Sequence, residues 1–287
     1  MELVSLNTFK TVAEQGGVLA ASRLLHTVQS NITARIKRLE EELGSELFYR
    51  KGRGLELTPA GHTLLEYANK LLHLEQQACM AVKQVGESVG EIRIGSMESF
   101  AATRMPGLLQ ALRKAHPKLM PRVKTETSSE LVQDILNYRL DCAFVGGPIE
   151  HQHLTCKQVL IEDLVLVSAK NVDVSDSLIL FREGCAYREK AISWLKKHGR
   201  LDTEVMSMGT QEGILGCVAV GLGFTLVPRK VAEESRYAND LNMEILAPEY
   251  SQVPTLLVTH KDAAQMAGIQ TLLGLFKDDL PEWESAA

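Results

Sequence analysis

The sequence predicts an α/β protein with a small, mainly helical N-terminal domain, a long connecting helix and a larger two-lobed α/β domain. Apolar residues recur at helical spacing before residue 45, no proline lies between Pro59 and Pro106, and strand and helix patterns alternate beyond residue 90. A chain of 287 residues is longer than one hydrophobic core usually covers, so more than one core is expected.

The composition is typical of a soluble globular protein. The hydrophobic fraction is 45%, the charged fraction is 23%, and no apolar run approaches the roughly 20 residues that span a bilayer. The N-terminal Met-Glu-Leu-Val-Ser-Leu has no basic stretch ahead of an apolar one, so it is not a secretory signal. We therefore expect a cytoplasmic protein without a membrane partner.

Basic residues are concentrated near the N-terminus although the net charge is −5. Up to residue 90 the chain has ten basic and ten acidic residues, and eight of the ten basic ones lie between Lys10 and Arg53. The negative charge therefore comes from the larger C-terminal part. This distribution permits DNA binding by the N-terminal domain.

The cysteines and histidines do not form a metal-ligand pattern. Five widely spaced cysteines match neither a disulfide framework nor clustered zinc ligands, so reduced thiols are expected. His151 and His153 are close in sequence, and a metal site there is the alternative to two loop histidines. We expect no metal and no cofactor.

Three short helices and a hairpin are predicted before residue 58. The first helix runs from Leu3 to Glu14, the second from Leu19 to Leu25, and the third starts near Gln29 and ends at Gly44. The third has one apolar stripe, Ile32, Ile36, Leu39 and Leu43. Two short strands then flank the basic tip Arg50-Lys51-Gly52-Arg53-Gly54, a wing. The alternative is a generic three-helix bundle with solvated charges.

The opposite side of the third helix is the candidate DNA-binding surface, because small polar residues and bases can enter a DNA groove. The candidate DNA contacts, including two arginines of the wing, are Gln29, Ser30, Thr33, Ala34, Arg35, Lys37, Arg38, Arg50 and Arg53.

The segment AASRLLHTVQSNITARIKR, followed by LEEELGSELFYRKGRGLELTPAG, closely resembles the winged helix-turn-helix of the LysR-type transcriptional regulators. The match includes Gln29, Gly44 and Gly61. Ser30 and Ala34 depart from the family pattern, which often has proline and arginine at these positions. The resemblance implies a regulator, not an enzyme, that binds double-stranded DNA and a small-molecule effector, assembles as a dimer or dimer of dimers (a homotetramer), and contacts RNA polymerase.

A long helix is predicted to follow, from residue 59 to 89. Thr58-Pro59 is a favourable helix start, and about thirty residues make a rod of ~45 Å. An alternating spacing of four and three, interrupted by Glu75, predicts a two-helix dimer seam formed by Leu64, Ala68, Leu71, Ala78 and Val82. The alternative is a helix packed on its own domain, and the family resemblance favours the seam.

Beyond residue 90 the pattern predicts two α/β lobes, lobe I at about 90–162 and 262–287 and lobe II at about 163–261. The first lobe includes a helix from Phe100 to Ala115, and the sheet is expected to be largely parallel. Two crossings, near residues 162 and 261, predict a hinged cleft as in periplasmic binding proteins, which the family also has. With residues 1–58 as the DNA-binding domain, residues 90–287 form the effector-binding domain.

Candidate effector residues lie where predicted strands end and helices begin, because ligands in α/β sheets bind at such ends. Hydroxyls and helix N-termini there suit a small anion, although each end taken alone is equally explained as a helix cap. The candidates are Ser96, Met97, Glu98, Ser99, Phe100, Thr127, Ser128, Ser129, Gly146, Gly147, Cys185, Tyr187, Arg188, Gly209, Thr210 and Gln211.

Two residues of this set carry additional expectations. Glu98 does not suit an anion and is expected to pair with Arg182 or Arg188. Cys185, at a helix start near arginines, is either inert packing or a thiol of lowered pKa that senses redox state.

Two other functions are alternatives. An enzyme is disfavoured because no nucleophile-histidine arrangement, carboxylate pair or metal cluster is recognisable. An exported solute-binding protein has a similar cleft but needs a signal and lacks the wing. Gly221-Leu222-Gly223 follows a helix and precedes a strand, the reverse of a dinucleotide loop, so it is assigned to a helix cap and turn.

Overall fold

The structure is a computed structural model that describes residues 1–51, 54–83, 90–174, 176–200, 202–263 and 266–276. The chain divides into two compact units, Met1–Glu87 and Ser88–Ala287. Within the described residues, no helix combines the length and the apolar character that crossing a bilayer requires.

The first unit contains three helices, a hairpin and a long helix. They are α1 (Leu3–Gln15), α2 (Val18–Leu24), α3 (Gln29–Leu43), β1 (Phe48–Lys51), β2 (Gly54–Leu57) and α4 (Pro59–Lys83). Gly16 and Gly44 have φ of 67° and 66°, the left-handed conformation in which glycine ends α1 and α3. Phe9, Ile32 and Leu39 form the centre of the core. The predicted helices and the antiparallel wing strands are confirmed.

The start of α4 is fixed by the residues predicted for it. Thr58 Oγ1 accepts from the Gly61 N–H at 3.0 Å and donates to the Glu46 carbonyl at 2.7 Å. A Cβ on Gly61 would stand 2.2 Å from the Leu47 carbonyl oxygen, so only glycine allows this close approach of helix and strand. Helix α4 is described to Lys83, and residues 84–89 of the predicted linker lie outside the described residues.

The second unit begins with lobe I. Its first elements are β3 (Gly90–Ser96), α5 (Glu98–Thr103), α6 (Met105–Ala115), β4 (Leu119–Thr125), α7 (Ser128–Leu136) and β5 (Cys142–Gly146). The single helix expected from Phe100 to Ala115 is two helices that meet at Arg104. Pro106 is the reason, because it lacks the N–H that would continue the hydrogen bonds of α5 and its ring would clash with the carbonyl four residues earlier.

The chain continues through lobe II and back. These elements are β6 (Leu154–Ala169), β7 (Ser177–Phe181), α8 (Ala186–Lys197), β8 (Glu204–Met208), α9 (Gln211–Ala219), β9 (Thr225–Pro228), α10 (Arg229–Glu234), β10 (Leu241–Ile245), α11 (Pro248–Ser251), β11 (Gln252–His260) and α12 (Ala267–Gly274). Gly221, between α9 and β9, has φ of 82°, which confirms the turn predicted there.

The sheet is mixed, so the prediction of a largely parallel sheet was wrong. The main path is β10-β6-β11-β5-β3-β4, with β9 also paired to β6. Strand β3 pairs parallel with β4 and β5, whereas β6 pairs antiparallel with β9, β10 and β11. The reason is that both crossings between lobes are continuous strands, β6 outward and β11 back, and such a pair must run antiparallel.

The lobe boundaries follow from the same two strands. Asp163 of β6 pairs with Gln252 of β11, and Leu164 pairs with Pro228 of β9, so the outward crossing lies close to the predicted residue 162. The return crossing is at Gln252, where β11 begins, and not near residue 261. Lobe II therefore ends about ten residues earlier than expected.

Candidate DNA-binding surface and effector cleft

Helix α3 separates an apolar side from a polar side. Ile32, Ile36 and Leu39 are buried in the unit's core. The residues predicted on the polar side are all exposed: Gln29, Ser30, Thr33, Ala34, Arg35, Lys37 and Arg38. Gln29 is the first residue of α3, and the N-terminal end of a helix favours a nearby phosphate. The side predicted to contact DNA is thus accessible.

The wing is a β-ladder of four residue pairs. Its register runs from Phe48 opposite Leu57 to Lys51 opposite Gly54, with the Arg50 backbone opposite Leu55. Arg53, the other arginine predicted to contact DNA, lies outside the described residues. Phe48 packs on Phe9 of α1 with ring centroids 5.3 Å apart, which anchors the hairpin to the helices.

The dimer seam predicted on α4 needs correction at its start. Ala68 is 0% exposed and Leu64 packs on the same core, so both belong to the unit's own interior. Leu71, Ala78 and Val82 are exposed. Tyr67 and Leu74, which the prediction omitted, are 57% and 61% exposed. We call Tyr67, Leu71, Leu74, Ala78 and Val82 the α4 stripe.

The α4 stripe keeps the spacing that two-helix packing needs. The steps from residue 67 to 71, 74 and 78 are four, three and four, which places these side chains along one face of the helix. Exposed apolar residues in such a row indicate an unpaired contact surface. The apolar spacing on α4 was visible in the sequence. Which of its apolar residues face the core of the unit could be seen only in the fold.

A cavity of about 370 Å³ lies between the two lobes, and we call it the chamber. It contains the predicted Ser128, Ser129, Gly146 and Gly147. Among the described residues its lining is Ser128, Ser129, Gly146, Gly147, Pro148, Ile149, Gly184, Ala186, Glu189, Lys190, Ser193 and Val253. Its volume is within the range of small-molecule sites, about 300–1,000 Å³.

The N-termini of α7 and α8 meet at the chamber, one from each lobe. Ser128 Oγ accepts from the Gly146 N–H at 3.0 Å, which leaves its own hydrogen for a ligand. The Ser129 N–H donates to the Gly184 carbonyl of lobe II at 3.3 Å. Lys190 Nζ donates to the Glu249 carbonyl at 2.8 Å and brings a positive charge to the wall.

A second, almost closed space adjoins the chamber, and we call it the niche. It has a volume of about 10 Å³ and is lined by Met97, Glu98, Ser99, Glu126, Thr127, Ser128, Phe181, Cys185, Ala186, Tyr187 and Gln211. Ser128 and Ala186 line both spaces. Ser99 Oγ lies 3.0 Å from Tyr187 Oη, a buried hydrogen bond that links the lobes.

Glu98 links the lobes a second time. Its two carboxylate oxygens accept from the Gln211 N–H at 3.1 and 3.0 Å, at the start of α9. Burial raises the pKa of Glu98, while this hydrogen bond and the charge of Arg182 lower it. The expected ion pairs with Arg182 and Arg188 do not form: Arg182 pairs with Glu126 and Glu130.

Five candidate effector residues line neither space. Ser96 is fully buried with its hydroxyl bonded to the Met97 carbonyl, and Phe100 stacks on Phe144 in the core, so both predictions were wrong. Arg188 donates to the Phe181 carbonyl and to Ser207 Oγ, which hold its guanidinium on lobe II. Gly209 and Thr210 are exposed. Thr210 Oγ1 accepts from the Gly213 N–H and so caps α9.

Some of the lining residues that the prediction missed share one face of α8. Glu189, Lys190 and Ser193 follow Ala186 by three, four and seven residues, the spacing of one helix face. This periodicity was visible in the sequence. Ile149 and Val253 come from separate segments, and only the fold brings them together.

Cys185 does not have the lowered pKa that a redox sensor requires. Burial raises the pKa of its thiol, and this effect exceeds the opposite effect of the Arg188 and Tyr187 backbone N–H groups. His151 and His153 have ring centroids 5.6 Å apart, and His153 stacks on His260. In the part of the chain that the structure describes, no cluster of three metal-ligating side chains is found.

Two family models match the two units. The model described as a bacterial regulatory helix-turn-helix protein of the lysR family matches residues 3–62, and the LysR substrate binding domain matches residues 86–281. The chain belongs to the LysR family. LysR membership confirms the resemblance predicted from the α2–α3 and wing residues, and it makes the chain a DNA-binding transcription regulator with an effector-binding domain.

Curated LysR relatives match almost the whole chain. GltR of Bacillus subtilis is 34% identical over 286 residues, which cover 97% of each protein. SoxR of an Arthrobacter species is 33% identical over 285 residues, again covering 97% of each. Both are named transcriptional regulators, a class of proteins that are not enzymes.

Solved structures agree with the fold. A variant of full-length OxyR from Pseudomonas aeruginosa has a TM-score of 0.73 at 19% identity, covering 96% of this chain and 94% of that one. CbnR, solved in a complex with its target DNA, has a TM-score of 0.66 at 24% identity, covering 96% and 98%. At these identities the likeness concerns the LysR fold alone.

Proposed function

We propose that this regulator reads a promoter with the polar side of α3 and the wing, and that a small anionic effector in the chamber changes its activity. The observation that carries the proposal is the exposure of the whole polar side of α3 over a buried apolar stripe. CbnR was solved with its target DNA, which supports an analogous use of this domain here.

Base reading is assigned to Gln29, and backbone contact to the basic residues. A glutamine side chain can form two hydrogen bonds with an adenine edge in the major groove. Arg35, Lys37 and Arg38 are exposed on the same helix and can neutralise phosphates. Arg50 and Arg53 of the wing are proposed to contact the DNA backbone or minor groove.

The chamber supports an anionic effector through its helix N-termini and hydroxyls. Each helix N-terminus favours a negative charge by about 0.3–1 kcal/mol, and α7 and α8 both begin at this wall. Ser128 adds a hydroxyl whose oxygen accepts from the Gly146 N–H, and Lys190 adds a positive charge beside the Glu189 carboxylate. Pro148, Ile149 and Val253 provide apolar contact for the body of the ligand.

The assembly is part of the proposal. The α4 stripe is proposed to pair two subunits, with two dimers forming a tetramer, because an exposed apolar row in water favours burial against a second copy. The proposal also includes that the protein acts in the cytoplasm and contacts RNA polymerase, as a regulator of transcription does.

The DNA assignment is tested by comparing Gln29→Ala with Arg53→Ala in full-length protein. Gln29→Ala should cost about 1–3 kcal/mol on the cognate site and relax base preference. Arg53→Ala should weaken binding to all sequences and reduce the salt dependence. Fluorescence anisotropy at several salt concentrations measures both, and equal losses with an unchanged salt slope would contradict the assignment.

The effector assignment is tested by thermal shift of the full-length protein against aliphatic and aromatic carboxylates. A stabilising carboxylate should lose affinity in Ser128→Ala, because the Ser128 hydroxyl lies at the chamber wall and acts as the acceptor in its hydrogen bond with the Gly146 N–H. Footprinting then shows whether the ligand changes operator contacts. Stabilisation by neutral sugars alone would reject an anionic effector.

A further inference from the structure

The niche contains a carboxylate that has no cationic partner in contact. Glu98 accepts only the Gln211 N–H, and none of the described lysines or arginines lies within ion-pair distance of it. Arg182 is the guanidinium that acts on its charge, and it is already paired with Glu126 and Glu130. Because Arg182 forms its ion pairs with Glu126 and Glu130, Glu98 has no cation in contact with it among the described residues.

A second acceptor in the niche is unsatisfied. Gln211 is 8% exposed, and its Oε1 is a buried atom without a hydrogen-bond partner. A buried acceptor left without a donor is costly, so native proteins rarely leave one unpaired. Gln211 lines the niche together with Glu98, so both acceptors are available to a group that enters it.

The size of the niche limits what can enter. A volume of about 10 Å³ is close to the space that one water molecule needs. A primary ammonium group is of similar size and carries three N–H donors. A hydroxyl group would satisfy Gln211 but would leave the charge of Glu98 unpaired, so charge favours the ammonium group.

We propose that the effector carries a primary amine that enters the niche as an ammonium group and donates hydrogen bonds to Glu98 and Gln211 Oε1. This inference rests on the proposed function, in which the anionic group of the same effector lies in the chamber. Since the two spaces share Ser128 and Ala186, one small molecule reaches both. The ligand is therefore an amino carboxylate, and its ammonium group distinguishes it from other carboxylates.

The test measures binding of matched probes to the full-length protein by calorimetry. The probes are a panel of L-amino acids, each with its deaminated carboxylate and its decarboxylated amine. At least one amino acid should bind about ten- to a hundredfold more tightly than its deaminated carboxylate, the usual range for a hydrogen bond to a charged group.

Two variants test whether the ammonium group binds at Glu98 and Gln211. Glu98→Gln and Gln211→Met should each reduce the preference for the amino acid over the carboxylate about tenfold or more. Glu150→Gln is the matched control, because Glu150 is exposed in the same unit and lines neither space. The two variants remove different partners, so a folding defect in one leaves the other informative.

The outcomes separate this inference from the proposed function. Carboxylates that bind as tightly as their amino acids, or a preference unchanged in both variants, would overturn the ammonium site and leave the anionic effector in place. Binding by none of the probes would overturn both.

Discussion

Leu74 of the α4 stripe tests the assembly most directly, because a single truncation there separates dimerisation from folding. Leu74 is 61% exposed and belongs to a row of apolar side chains on α4. Its neighbour Leu72 packs on the core of its own unit. The same leucine-to-alanine change at these two positions therefore acts on two different surfaces of one helix.

The expected magnitude follows from the exposed fraction. Complete burial of a leucine side chain contributes about 1.5–3 kcal/mol. Covering the 61% that remains exposed contributes about 1–2 kcal/mol per subunit, and about 2–4 kcal/mol in a symmetric dimer. Leu74→Ala should raise the dimer dissociation constant about 30-fold to several hundredfold.

Sedimentation over a range of protein concentrations measures the dissociation constant, and a urea titration measures the free energy of unfolding. Leu74→Ala should dissociate the dimer with little change in subunit stability, and operator affinity should fall because each subunit reads one half-site. Leu72→Ala should lower subunit stability and leave association unchanged. Unaltered association in Leu74→Ala, with dissociation in Leu72→Ala, would refute the assignment of the α4 stripe.

Three further predictions concern the effector domain and are measured by urea titration of the effector-free protein. Gly95→Ala should lower the free energy of unfolding by about 1–3 kcal/mol, because the added Cβ would stand 2.6 Å from two leucine side chains. An unchanged urea midpoint would contradict this, because it would mean that the leucine side chains move aside without cost. Asp141→Ala should cost about 3 kcal/mol, because Arg93 Nη2 donates to the buried Asp141 carboxylate at 2.6 Å; a loss below 1 kcal/mol would count against that pair. Burial raises the pKa of Glu98 in the folded protein above its value in the unfolded chain. The stability that the protonated Glu98 carboxyl contributes is therefore present in acid and is lost as pH rises through the folded-state pKa. Glu98→Gln should therefore gain stability relative to the wild type between acid and neutral pH, and a constant difference across this range would contradict the shift.

The DNA-binding unit and the family were determined by the sequence itself. The apolar spacing from Ile32 to Leu43, glycine at 44, and Thr58-Pro59 each act locally, through helix periodicity and backbone geometry. Local rules of this kind require no knowledge of the rest of the chain. They predicted α1 to α4 and the wing strands, and they placed Gln29 and Lys37 on the exposed side.

Only the tertiary structure decided the strand directions of the sheet, the exposed side of α4 and the residues that line the cavities. The directions of β6 and β11 depend on pairing between residues almost a hundred positions apart, which no local pattern encodes. Ala68 and Leu74 are both apolar on one helix, and only packing against the core assigns one inward and the other outward. The partners of Glu98 were expected to be arginines because opposite charges attract. In the structure, Arg182 instead pairs with Glu126 and Glu130, and the N-terminus of α9 lies at Glu98. The partner of a charged side chain depends on which groups the packed backbone places close to it, and sequence separation does not show this.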